Sequence, residues 1–229
     1  MPNNYEQEVC NILKETKIHQ RLEELKERTN STGHEHGFNV CSDGRVTEVI
    51  EGIHTGIDLS HSFDECNKQI DLQIHSHPYG GDTYPSKGDF ISNVFYHPRI
   101  ADCIYGSEDD KITCYNISDE LRKGYIQKEE EISNKLNETR NKFDETRNKI
   151  HNATNREELY RLFNEFRYEW KKYDDLMIEI QRDIVSRIYP DINFISDSSG
   201  IPDDYDKAVD KERKFGNFGD VWIKDCGKI

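Results

Sequence analysis

The sequence predicts an α+β protein, with a mixed β-sheet flanked by helices followed by a long antiparallel helical hairpin. Three observations predict it. Between Glu35 and Ile117, short β-type runs alternate with turn signals and one short helical stretch. From Ser118 onward, apolar residues recur at steps of three and four up to Ile184. With 33% of residues charged and 34% hydrophobic, and a mean hydropathy of -0.94, the composition suits a modest core joined to solvated helices.

Residues 1–30 read as an amphipathic helix, because Tyr5, Val9, Ile12, Leu13, Leu22 and Leu25 recur among charges. The run Asn30-Ser-Thr-Gly33 breaks it. Residues 31–117 form the predicted core. Runs at Gly37–Cys41 and Arg45–Ile50 flank Ser42-Asp-Gly44, a hairpin signal, since glycine accepts the positive φ of a tight turn. Gln69–Ile74 places Ile70, Leu72 and Ile74 on one face of a strand. A short helix follows at Phe90–Tyr96, closed by His97-Pro98. Strands at Ile100–Tyr105 and Lys111–Ile117 are joined by the acidic turn Gly106–Asp110.

Residues 118–190 carry the heptad texture. Leu136, Thr139, Phe143, Thr146 and Ile150 continue from Ile132, and the heptad Asn137–Phe143 is duplicated in Asp144–Ile150. His151–Thr154 interrupts, and Thr154 with Glu157 forms a capping-box pattern for a second helix. That helix repeats the spacing through Leu159, Phe163, Phe166, Trp170, Tyr173, Met177, Ile180 and Ile184, and stops before Pro190. A short break between two apolar stripes implies an antiparallel hairpin. Its aromatics exceed what a two-helix seam requires, so a homodimer or protein partner is expected there. Residues 191–229 form a polar tail in which Val221–Ile223 is the cluster able to dock back.

Charge and hydropathy exclude some partners. A net charge of -14 repels a phosphate backbone, so no nucleic acid is expected. No apolar run reaches membrane-spanning length, and the first residues lack the apolar core of an export signal. A cytoplasmic protein is therefore expected. By the same reasoning the six cysteines, none in a C-x-x-C pair, are expected as reduced thiols outside any metal site.

The chemistry concentrates in Ile74–Asp89. Residues two apart on a strand project to one side, so His75 and His77 can aim two imidazoles at one ion. Ser86 and Asp89, three apart at a helix start, share its first turn, where the ionised carboxylate is favoured. Two histidines and a carboxylate leave the fourth tetrahedral position of a zinc ion open, the mark of a catalytic site. Each signal alone is weak; in this order and spacing they reinforce one another.

A glutamate followed by His75-Ser-His77-Pro78 and Ser86-Lys-Gly-Asp89 resembles the signature of the JAMM (JAB1/MPN/Mov34) metallopeptidase family. The resemblance spans about Glu35 to Ile117 and implies an MPN-like core. It also implies Zn2+ held by His75, His77 and Asp89, Glu35 as general base and acid, and Ser86 steadying the oxyanion. The loop from His77 to Ser86 is one residue longer than the family's usual spacing. Glu35 lies closer to its glycine than the family pattern has it, which keeps Glu48 and Glu51 as alternatives. The implied function is a zinc peptidase or isopeptidase cutting at or near the C-terminus of a ubiquitin-like modifier. The alternatives are a non-catalytic MPN-type scaffold using the hairpin, or a hydrolase of another small amide.

Overall fold

A computed structural model describes residues 5–78, 83–96, 98–108, 110–150, 156–190, 209 and 211–228. The turn around Gly80-Gly81, His97, the break at His151–Thr154 with its capping box, and residues 191–208 lie outside the described residues. The chain divides into two compact units, Met1–Ser118 with Ala208–Ile229, and Asp119–Lys207.

The first unit opens with two helices where the sequence predicts one: α1 (Tyr5–Ile12) and α2 (Thr16–Thr32). The reason is geometric. Nine residues separate Leu13 from Leu22, so a straight helix at roughly 3.6 residues per turn would set them on opposite sides. The turn at residues 13–15 re-registers the chain, and Val9, Leu13, Ile18, Leu22 and Leu25 all enter one core. Gly33 closes α2 in the left-handed region at φ 70°, donating its N–H to the Thr29 carbonyl.

The strands β1 (His36–Cys41), β2 (Ile50–Glu51), β3 (Ile70–His77), β4 (Ala101–Gly106), β5 (Lys111–Ile117), β6 (Gly216–Asn217) and β7 (Val221–Gly227) form one mixed sheet. Their order is β2-β1-β3-β4-β5-β7-β6. Only β3 and β4 run parallel, connected through helix α4 (Lys87–Tyr96); the other neighbours are antiparallel. The tight turn at Ser42–Gly44 forms, with Gly44 at φ 83°. The strand expected at Arg45–Ile50 shrinks to Ile50–Glu51, because the Thr47 hydroxyl takes the Asn39 N–H that a ladder carbonyl would accept. A short helix, α3 (Ser60–Glu65), was not legible from periodicity.

Parity along β3 sorts its two faces. Leu72 and Ile74, with Phe38, Cys103 and Cys114, pack under α1 and α2. Gln73, His75 and His77 point to the other face, where Phe90 of α4 meets Tyr115 of β5 edge-on at 5.4 Å.

The cysteines correct the sequence reading. All six pair, as Cys10–Cys226, Cys41–Cys66 and Cys103–Cys114, where reduced thiols were expected. Cys103 and Cys114 are direct cross-strand partners on β4 and β5. Cys10 and Cys226 tie α1 to β7, a proximity set by the fold and invisible in local sequence.

The second unit holds α5 (Asp119–Ile150) and α6 (Arg156–Ile188). Tyr125 donates to the Asp183 carboxylate, Lys128 meets Glu179 at 2.7 Å, and the Phe143 and Phe163 rings lie 6.2 Å apart. Each advance along α5 is matched by a retreat along α6, so the described parts of the two helices run antiparallel. No helix among the described residues is long and apolar enough to cross a membrane.

Candidate metal site

Three local arrangements build the site. The first is the alternation of β3. Ser76, between the histidines, turns to the helix face, where it is fully buried. Its hydroxyl lies 2.7 Å from that of Thr29 on α2 and accepts the His36 N–H at 2.9 Å. The histidines are thereby anchored from behind.

The second is the start of α4. The Ser86 N–H donates to the Asp89 carboxylate at 2.6 Å, and the Asp89 N–H donates to the Ser86 hydroxyl at 3.2 Å. This reciprocal cap satisfies two free amides at the helix start and fixes the Asp89 carboxylate. The Tyr115 hydroxyl donates to the Asp89 carbonyl at 3.0 Å, pinning that turn to β5.

The third is the approach of β1. Gly37 sits opposite His75, and a Cβ there would lie 2.8 Å from the Ile74 carbonyl oxygen. Just before the strand, the Glu35 N–H donates to the Ile53 carbonyl, and the Glu35 carbonyl accepts the Gly52 N–H. The turn at residues 52–56 therefore holds the Glu35 backbone from both sides.

Together these bring two imidazole nitrogens and both oxygens of one carboxylate into a single cluster. His75 Nε2 lies 3.2 Å from His77 Nε2 and 3.2 Å from Asp89 Oδ1, and His77 Nε2 lies 3.5 Å from Asp89 Oδ2. His75, His77 and Asp89 are the group among the described residues arranged to hold a metal ion. Two imidazole nitrogens and a carboxylate converging at such distances form a donor set of the kind that binds a divalent cation. Burial pushes the Asp89 carboxyl up, but the imidazoles of His75 and His77 outweigh it and hold it well below the usual carboxylate range.

Glu35, His75, His77, Ser86 and Asp89 all line one cavity of 270 Å³. Burial, with a smaller contribution from Asp89, raises the Glu35 carboxyl above its ordinary value, against the opposing pull of His75, His77 and His54. A half-buried carboxylate with its pKa raised beside this histidine–aspartate cluster is placed to exchange protons. Glu48 and Glu51 are not brought there. Glu51 is exposed and pairs with His34 at 2.6 Å, while Glu48 lines a separate groove with Lys17 and Arg21. The nearby histidines serve packing: His36 is buried with Nδ1 against the His34 carbonyl, and His54 Nδ1 lies 2.9 Å from the Gly33 carbonyl oxygen.

Sequence reasoning missed Tyr115, and also Asp102, a buried carboxylate on the cavity wall that accepts a hydrogen bond from Asn93 at 2.7 Å. A signal existed. The alternation that buries Ala101, Cys103 and Tyr105 on the helix face turns Asp102 toward the site. No protein-family model matches the chain, and no curated protein matches it.

Proposed function

We propose that this chain is a zinc-dependent peptidase or isopeptidase of the JAMM kind, cutting at or near the C-terminus of a ubiquitin-like modifier. The observation that carries the metal assignment is the convergence of His75, His77 and Asp89. Two imidazole nitrogens and a carboxylate 3.2–3.5 Å apart suit zinc, whose donors stand at roughly 2.0–2.2 Å from the ion. The same donor set also suits non-haem iron, and the motif resemblance is what favours zinc. Three protein ligands, with a cavity beside them, match an open catalytic site rather than a closed structural one.

Zinc, when bound, would acidify a water and polarise the scissile carbonyl. Glu35 Oε would receive the water proton and deliver it to the nitrogen of the leaving amine, the shuttle its raised carboxyl suits. Ser86 already accepts the Asp89 N–H at the helix cap; its own hydroxyl proton would donate to the oxygen that gains charge, an effect worth about 3 kcal/mol in comparable sites. The substrate class and the JAMM assignment rest on motif resemblance, with the assembled cavity as support. The three disulfides fit an oxidising compartment better than a reducing cytoplasm, and that placement is proposed in preference to the cytoplasmic one.

The test is cleavage of a panel of ubiquitin-like C-terminal fusions and isopeptide conjugates by zinc-loaded protein. Glu35→Gln should bind zinc yet lose about 10²–10⁴-fold in turnover. Failure of fully zinc-loaded wild-type protein to cut any of these amides would overturn the reading.

A further inference from the structure

Helix α6 carries aromatic side chains outside the stripe it buries. At roughly 100° per residue, Leu162, Leu176 and Ile180 share one buried face. Tyr160, Phe163 and Trp170 lie roughly 80–160° round the helix from it and stand 70%, 44% and 50% exposed. Side chains of these types cover 150–250 Å² each when packed, so roughly 330 Å² of aromatic surface is exposed on this face. One solvated face is ordinary for a helix in a pair. An aromatic outer face calls for cover.

We propose that this face pairs with the same face of a second copy of the chain, antiparallel about a two-fold axis passing between residues 170 and 171. Charge complementarity selects that occupant and direction. The axis sets Arg167 against Asp174 of the second copy, Phe163 against Ile178, Tyr160 against Gln181, and Trp170 against Lys171, each contact occurring twice. The Arg167 guanidinium already lies over the Phe163 ring at 5.9 Å, so the same side chain can join the aromatic seam to the ion pair. A parallel arrangement would oppose Arg167 to Arg167 and Asp174 to Asp174. Two such faces bring roughly 660 Å² of aromatic surface together, to which the flanking charged and aliphatic residues add, the scale of a weak, reversible association.

Sedimentation of the full chain across a wide micromolar range tests this. Wild-type protein should dimerise, and Arg167→Asp or Asp174→Arg should each raise the dimer dissociation constant about tenfold or more. The double reversal should restore it, because it recreates both pairs with opposite sign. Circular dichroism of each variant, with unchanged helix content, shows that the fold survives. A monomeric wild type, single reversals without effect, or a well-folded double variant that stays monomeric would each overturn the proposal. A monomer would leave the aromatic face to a different kind of partner.

Discussion

The hydroxyls of Thr29 and Ser76 lie 2.7 Å apart on the helix side of β3, behind the strand whose other face carries His75 and His77. Ser76 also accepts the buried His36 N–H, so this one side chain joins α2, β1 and β3 at the level of the site. Ser76→Ala leaves that amide without an acceptor and should cost about 1–3 kcal/mol in urea unfolding of the metal-free protein. Metal binding should weaken in parallel, because the histidine pair loses its anchor. A variant as stable as wild type would remove Ser76 from this role.

Glu35 sets a pH dependence of stability. Its carboxyl is raised in the folded protein, chiefly by burial, above the ordinary value of 4.5. The folded state therefore favours the protonated form, so stability falls as pH rises from 4.5, where the unfolded chain ionises, to the raised folded value, and stays lowered above it. Below 4.5 both states are protonated and the cost disappears. Glu35→Gln in metal-free protein should melt higher than wild type at about pH 8, with the advantage fading toward about pH 4. An advantage that grows on acidification would contradict the burial of Glu35. If the proposed peptidase activity is present, the same change in zinc-loaded protein should abolish most turnover, a trade of activity for stability.

Gly37 is required by approach rather than by dihedral angle. A Cβ would meet the Ile74 backbone oxygen at 2.8 Å, and the side chains of Ile57 and Leu59 at 3.2 Å. Backbone cannot swing aside as a side chain can. Gly37→Ala should destabilise by about 1–3 kcal/mol and part Glu35 from the histidines. Thermal melts with kinetics check this: a fall in turnover exceeding any change in zinc content is expected, and unaltered kinetics would count against the close packing of β1 on β3.

The cysteine pairing is read directly by thiol titration. Protein denatured without reductant should show no reactive thiols, and reduction should release all six. Reduction should also lower stability by at least about 2–5 kcal/mol, the usual cost of losing one native disulfide in a small domain. Six free thiols in the purified, unreduced protein would restore the reduced state expected from sequence.

The parts of the site legible in the sequence are those that local geometry fixes. Strand alternation sets His75 and His77 together, and a helix cap sets Ser86 and Asp89, each within a few residues. The sharing of one cavity by Glu35 and the histidines depends on β1 lying against β3 in the register Gly37 to His75, which no local pattern states. The same holds for Tyr115, aligned through β4, and for β7, which joins the sheet from the far end of the chain. The break between α1 and α2 was within reach, since the spacing of Leu13 and Leu22 is incompatible with one straight helix buried on one face. The disulfides were not. Cys10 and Cys226 stand 216 residues apart, and only the folded sheet brings them together.

Metal content tests the central claim most directly. Purified wild-type protein, or apoprotein reloaded and desalted, should hold about one zinc per chain. His77→Ala and Asp89→Ala, each with wild-type secondary structure by circular dichroism, should hold almost none. Wild-type protein that keeps less than about half an equivalent after zinc is added, or variants that keep a full one, would contradict a site built on His75, His77 and Asp89.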